Sequence, residues 1–305
     1  MEKYAILDIG TNSIKFFIFS IENNDFNPIL DTNNISRLGE GLLKTGIISP
    51  KAMARNIQVI KEYLEISKEH DVKEIFAVGT MCLRTAKNSN EFLKKVKDEL
   101  GLKIQVISGK EEARLSYLAV LSTIGNASGE NITVFDTGGG STEFIFGEGT
   151  QLKNRISLDV GAVQPTEEYL ISDPVTNDEL DRMQNYIAKF LSNEIKHRSP
   201  DYLIGIGGTV TSMGAVKNKM EYYDRQAIQG SKLTLDDVKE QIDVFKNKTI
   251  EERKKIVGLQ PKRADVILAG ASIIKAIMEH FNIKEITISD SGLRHGILYD
   301  RLIKE

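Results

Sequence analysis

The chain has 305 residues, of which 41% are hydrophobic and 27% charged, and a net charge of −3. That length corresponds to about two domains of roughly 150 residues, and the near-neutral charge excludes the basic footprint of a nucleic-acid binder, so any polyanionic ligand has to be held by local Lys and Arg. The single cysteine, Cys82, excludes an internal disulfide, and the scattered His70, His197, His280 and His295 lack zinc-ligand spacing. Without a signal-like start or an apolar run of about 18 residues, the cytoplasm is the expected compartment and no membrane partner is expected.

Apolar residues at 3–7 and 14–21 read as strands flanking Asp8-Ile-Gly10-Thr-Asn-Ser13, with 28–31 as a third. Residues 37–46 carry too many glycines for a regular element. They read as a loop, either a flap using Arg37 and Glu40 or a surface connection. Ser49-Pro50 starts a helix with Met53, Ile57, Ile60 and Leu64 on one face. A strand at 74–78 leads into Gly79-Thr-Met-Cys-Leu-Arg84, and Phe92, Val96 and Leu100 mark a helix that Gly101 ends. A strand at 103–107 meets Ser108-Gly-Lys-Glu-Glu112-Ala-Arg114, which opens a helix carrying Leu115, Leu118 and Leu121. Residues 122–130, STIGNASGE, are rich in turn formers and read as the domain boundary.

The second half opens on Asn131-Ile-Thr-Val-Phe-Asp136-Thr-Gly-Gly-Gly-Ser-Thr-Glu143-Phe-Ile-Phe, a strand, a tight turn and a returning strand. Glycines take backbone angles barred to other residues, and successive amides curling in a turn make a nest for phosphate oxygens. A carboxylate at each rim, Asp136 and Glu143, suggests phosphate with a divalent metal; a plain hairpin is the alternative. A strand at 151–158 follows, then a short helix opened by Gly161-Ala-Val. Asn177 caps a helix with Leu180, Met183, Ile187 and Leu191 on one face. The strand at 202–206 ends at Gly207-Gly208-Thr209, which reads as a phosphate or nucleotide loop or as a tight strand-to-helix turn. Residues 217–230 are polar and irregular. Thr234 with Asp237, and Thr249 with Glu252, start further helices, the second by a capping box. Lys262-Arg263-Ala-Asp265 leads into an apolar helix at 266–281, a strand at 285–288 turns at Ser289-Asp-Ser-Gly292, and 293–303 is the last helix.

One design occurs twice. Asp8-Ile-Gly10-Thr-Asn-Ser13-Ile-Lys-Phe16 matches Asp136-Thr-Gly138-Gly-Gly-Ser141-Thr-Glu-Phe144 at Asp, Gly, Ser and Phe, 128 residues apart. Ile75-Phe-Ala-Val-Gly79-Thr80 and Leu203-Ile-Gly-Ile-Gly207-Gly208 keep the same displacement. Two matches at one offset indicate a duplicated α/β domain, and the two glycine hairpins are expected to face each other across a cleft.

Eight segments in order, AILDIGTNSIKF, RLGEGL, GTMCLRTAKN, ISGKEEARLSY, FDTGGGSTEF, GIGGTVTS, PKRADVILAGA and SDSGLRHGIL, resemble the exopolyphosphatase/guanosine pentaphosphate phosphohydrolase (Ppx/GppA) family. The resemblance implies the duplicated ribonuclease-H-like fold of actin, sugar kinases and heat-shock ATPases in a short form. Its domains are 1–124 and 125–291, with the last helix, about 292–305, packing back on the first. It implies a homodimeric hydrolase releasing terminal phosphate from inorganic polyphosphate, with guanosine pentaphosphate, hydrolysed to guanosine tetraphosphate, as a further substrate. A polyphosphate:ADP phosphotransferase or superfamily kinase, or a nucleotide-dependent binding module, are the alternatives.

The same resemblance distributes roles. Glu112 is implied as the general base that orients and deprotonates water, and Arg84 as the guanidinium neutralising the leaving oxygens. Asp136 and Glu143 resemble a Mg²⁺-holding pair, with Mn²⁺ an alternative and Asp8 helping through water. Amides and hydroxyls of Gly10, Thr11, Asn12 and Ser13, and of Gly138, Gly139, Gly140, Ser141 and Thr142, are implied as the phosphate cradle, with Gly207, Gly208 and Thr209 as a second-domain loop. Arg263 and Arg294 fall in family motifs as phosphate contacts or as salt bridges between domains. The chain departs from the pattern at Gln164-Pro165, where many members have Arg, and at Arg294-His295-Gly296 in place of Arg-Glu-Gly, where His295 would add a titratable donor near the cleft. Met81 and Cys82 replace the usual small residues, a change of packing more than of chemistry.

Overall fold

The computed structural model describes residues 1–22, 25–124 and 129–302. It divides into two compact units, Met1–Ser116 with Leu293–Glu305, and Tyr117–Gly292. The boundary read from the sequence falls between residues 124 and 125; residues 125–128 of that turn-rich stretch lie outside the described residues, as does 303, the expected end of the last helix.

The first unit runs β1 (Glu2–Ile9), β2 (Ile14–Glu22), β3 (Asp25–Asn34), α1 (Leu42–Thr45), α2 (Pro50–Glu69), β4 (Glu74–Gly79), α3 (Met81–Thr85), α4 (Ser89–Leu100), β5 (Ile104–Val106) and α5 (Gly109–Ile124), which continues past the division. Its sheet order is β3-β2-β1-β4-β5, with β2 antiparallel and β4 parallel to β1. Successive side chains of a strand point to opposite faces, and both faces are covered here, which explains the unbroken apolar run of β2. Phe16 and Ile18 join Ala5, Leu7, Met53 and Ile60 on one face, while Phe17 and Phe19 join Tyr4, Ile6, Leu115 and Ile297 on the other. β3 is longer than the sequence suggests because its Pro28 lies on an edge strand, where a missing N–H is tolerated. Ser49 caps α2 by accepting from the Ala52 amide at 3.2 Å, and Gly101 ends α4 in the left-handed conformation.

The second unit runs β6 (Asn131–Thr137), β7 (Thr142–Glu148), β8 (Gln151–Leu158), α6 (Val163–Tyr169), α7 (Asn177–Glu194), β9 (Tyr202–Ile206), α8 (Gly208–Lys217), α9 (Arg225–Ile228), β10 (Lys232–Thr234), α10 (Leu235–Lys246), α11 (Ile250–Arg253), a 3-10 turn at Pro261–Arg263, α12 (Ile267–His280) and β11 (Glu285–Ser289). α13 (Leu293–Arg301) follows and belongs to the first unit. The sheet order β10-β11-β9-β6-β7-β8 repeats the first, with β7 antiparallel to β6 and β8 antiparallel to β7 on one side, and β9 and β11 parallel to β6 on the other. The chain is thus a duplicated ribonuclease-H-like α/β fold, the second copy extended by β10. α12 is buried nearly all round within the core of this unit, as a helix apolar on every face must be. The cap of α7 is Thr176 and not Asn177: its hydroxyl accepts from Glu179 N while the Glu179 carboxylate returns to the Thr176 amide. Thr234 with Asp237 forms the same reciprocal box, and the stretch read as irregular contains α9, capped by Asp224. Among the described residues no helix is long and apolar enough to cross a membrane.

Candidate active site

The two glycine turns are built alike. Gly10 N donates to Ser13 O at 3.0 Å, and Gly138 N donates to Ser141 O at 2.9 Å. Each turn is also held from behind. The carbonyls of Thr11 and Asn12 accept from the amides of Gly39 and Arg37 at 2.9 and 2.8 Å, and those of Gly138 and Gly139 accept from Ala162 and Val163 at 2.9 and 2.8 Å. A trans peptide points its N–H away from its C=O. Pinning these carbonyls therefore turns the amides of Asn12 and Ser13, and of Gly139 and Gly140, to the opposite side, and consecutive amides on one side are the construction of an anion nest. Gly161 is required for this contact, since a Cβ there would lie 2.5 Å from backbone atoms of Gly139 and Ser141.

Residues 37–46 are accordingly docked on the first turn, and they contain the short helix α1, where the glycines suggest no regular element. Arg55 of α2 donates to the carbonyls of Ser36 and Arg37 and pairs with Glu40 at 2.9 Å. Two expected cradle hydroxyls also face the protein: buried Thr142 donates to Val160 O at 2.6 Å and buried Thr209 to Thr137 O at 2.8 Å. Only the backbone of these residues is left to meet a phosphate.

The carboxylates differ between the copies. In the first hairpin Asp8 is paired in register with Lys15, whose Nζ lies 3.5 Å from the nearly buried carboxylate. In the second, the equivalent register pair is Asp136 and Glu143. Directly opposed residues share one face of the sheet with Cβ atoms about 5 Å apart, and like charges there repel. The Glu143 carboxylate accepts from Ser141 Oγ at 2.6 Å and Ser157 Oγ at 3.1 Å. Asp136 sits at the N-terminus of α8, where the glycine at 207 makes room for it: an added Cβ would fall 2.0 Å from its Oδ1. The partial positive charge of that helix end favours a carboxylate. Over Gly208 lies the guanidinium of Arg263, 1.9 Å from where a Cβ would be, with its Nε buried and without a hydrogen-bond partner. Burial pushes the Arg263 pKa down, while neighbouring Asp136 acts in the opposite sense.

Among the described residues no group of three or more His, Cys, Asp or Glu forms a ready metal cage. Mg²⁺ does not require one, because it is held by one or two carboxylates with waters and substrate phosphates. The opposed Asp136 and Glu143 fit that donor set. Asp8 is already compensated by Lys15.

Glu112 and Arg84 are brought together. Gly79 ends β4 where any side chain would strike Leu83, so α3 packs close and carries Arg84 toward α5. Arg84 Nη1 donates to Glu112 Oε2 at 2.7 Å and to Ile107 O at 3.0 Å. Both side chains stay partly exposed, at 22% and 28%. One oxygen of Glu112 is thus oriented by a guanidinium, on a side chain that keeps part of its surface exposed. Glu111, its neighbour, instead grips Arg114 through two bonds at 2.8 and 2.9 Å, which holds its carboxyl below the usual range.

Other expectations resolve differently. Arg294 pairs with Asp31 at 3.0 Å inside the first unit, which is neither a free phosphate contact nor a bridge between domains. His295 is fully buried with its ring 5.0 Å from that of Phe17, so it is packing and not an accessible donor. Gln164 donates to Glu168 of α6 at 3.0 Å. Lys15 was not singled out from the sequence, although its place opposite Asp8 follows from aligning the repeat with Glu143.

Against known proteins, the model of the Ppx/GppA phosphatase family matches residues 17–305. The chain belongs to that family. Exopolyphosphatase 2 of Mycobacterium tuberculosis is 30% identical over 313 residues, covering 97% of this chain and 98% of its own. The bifunctional 3-dehydroquinate synthase/phosphatase of Fusobacterium nucleatum is 33% identical over 308 residues, 97% of this chain but 46% of its own, so the chain spans about half of that relative. The crystal structure of the Ppx/GppA family member from Aquifex aeolicus superposes with a TM-score of 0.87 at 36% identity, covering 99% of this chain and 98% of the other. The family to which the chain belongs is one of phosphatases.

Proposed function

We propose that the protein is an exopolyphosphatase that releases terminal phosphate from inorganic polyphosphate by attack of water, with guanosine pentaphosphate as a second substrate. The observation that carries this reading is the twin construction of the glycine turns, each with carbonyls pinned behind and amides turned outward. Such seats suit tetrahedral, highly charged phosphate groups. Glu112 orients the water and accepts its proton, held for the task by Arg84. In phosphoryl transfer the protein contributes mainly positioning and charge stabilisation, so the amides of Asn12, Ser13, Gly139 and Gly140 and the Arg263 guanidinium are assigned to phosphate oxygens. Asp136 and Glu143 would hold Mg²⁺, which supplies charge neutralisation at phosphate oxygens when bound. A homodimer completes the reading.

One panel tests it: phosphate release from short and long polyphosphate, guanosine pentaphosphate and ATP, each with Mg²⁺, Mn²⁺ or chelator. Metal-dependent release from polyphosphate, abolished by chelator, is the expected result. Formation of ATP from polyphosphate and ADP in place of free phosphate would replace hydrolysis by phosphotransfer.

A further inference from the structure

Charged side chains are seldom fully buried without a partner of opposite charge. Arg253, the last residue of α11, is 2% exposed and is met by carbonyls instead of a carboxylate. Its Nε donates to Phe245 O at 2.6 Å, its Nη1 makes a long 3.4 Å bond to Ala264 O, and its Nη2 is buried without a hydrogen-bond partner. Burial pushes its pKa down, with the field of Asp173 acting against this. An apolar residue would avoid that desolvation cost, so the guanidinium must be doing what an apolar side chain cannot.

The two carbonyls indicate what that is. Phe245 lies in the last turn of α10, where carbonyls lack the regular helical partner, and the Lys248 amide reaches its carbonyl only at 3.4 Å. Ala264 directly follows the 3-10 turn Pro261–Arg263, whose own backbone bonds are all short-range: Arg263 N to Gln260 O at 2.9 Å, Ala264 N to Pro261 O at 3.3 Å and Val266 N to Arg263 O at 3.2 Å. α11 itself is anchored, by the Thr249–Glu252 capping box and by the Ile250 amide donating to Asp173. We propose that Arg253 is a positioning residue that ties this short turn to α10 and thereby holds the Arg263 guanidinium over Gly208, beside Asp136. The inference rests on reading Arg263 as a phosphate ligand. Arg suits the role because its planar fork reaches two acceptors at fixed angles, whereas a Lys ammonium is a point charge on a flexible stem.

The test is a double-mutant cycle on tripolyphosphate hydrolysis, with Arg253→Met, Arg253→Lys, Arg263→Gln and the doubles, each checked for folding by circular dichroism. Misplacing Arg263 is expected to raise KM about tenfold, well within the roughly 10²-fold that a small displacement can cost, with kcat changed less and Arg253→Lys intermediate. In the Arg263→Gln background, Arg253→Met is expected to add nothing, since the group it positions is gone. An equal further loss in that background would overturn the inference and leave the role of Arg263 standing. A parental KM in Arg263→Gln would overturn both. Should Arg253→Met fail to fold, Arg253→Lys, which keeps the charge, carries the same comparison.

Discussion

Gly161→Ala is the perturbation whose consequence is most directly computed. The new Cβ would stand 2.5 Å from Gly139 C and O and from Ser141 N, against 3.4 Å for an ordinary contact, so the turn must recede by about 1 Å. These are backbone atoms and cannot rotate away. The shift also spreads, because the amides of Ala162 and Val163 hold the carbonyls of Gly138 and Gly139. Overpacking of this kind costs about 1–3 kcal/mol of stability, and displacing a positioning group by about 1 Å costs on the order of 10²-fold in rate. Thermal unfolding followed by circular dichroism and kcat/KM for phosphate release from tripolyphosphate measure the two effects. A folded Gly161→Ala protein with parental kcat/KM would refute the assignment of residues 138–141 as a phosphate seat.

Arg84→Lys keeps the charge but replaces the planar Nη1 that holds both Ile107 O and Glu112 by an ammonium on a flexible stem, and should lower kcat by roughly 10- to 100-fold with little change in circular dichroism. Asp136→Asn should raise the Mg²⁺ concentration needed for half-maximal activity, read from a metal titration, because it removes one of the two opposed carboxylates. Glu179 accepts bonds from the amides and hydroxyls of Thr176 and Ser172, which pull its pKa from 4.5 to about 2. The folded value lies below the unfolded one, so this contribution to stability is complete above about pH 4.5 and is lost as pH falls toward 2. Urea midpoints across that range should fall less steeply for Glu179→Gln than for the parent.

The fold was legible because its signals are local or repeated. The apolar runs of β1, β2 and β6, the glycine turns between strands and the 128-residue offset all appear in the sequence itself. What escaped depends on register and burial. Lys15 gains its meaning from lying opposite Asp8, which only strand pairing reveals. Thr142 falls on the inward side of β7, so a hydroxyl that looks available in Gly-Gly-Gly-Ser-Thr is committed to Val160 O. The cap of α7 lies one residue before Asn177, itself a good cap type, because the reciprocal Thr176–Glu179 spacing decides between the two. Arg253 looks like a solvated charge in Glu-Glu-Arg-Lys-Lys, and only packing shows it fully enclosed. Arg294, expected to reach a phosphate, is taken by Asp31, a partner 263 residues away in the sequence.

The central claim is that Glu112 accepts the proton of the attacking water. Phosphate release from polyphosphate by Glu112→Gln, beside the parent at saturating substrate, tests it most directly. The account predicts a folded enzyme whose kcat is lower by roughly 10²- to 10⁴-fold, the usual contribution of a positioned base. Turnover at the parental rate would contradict it.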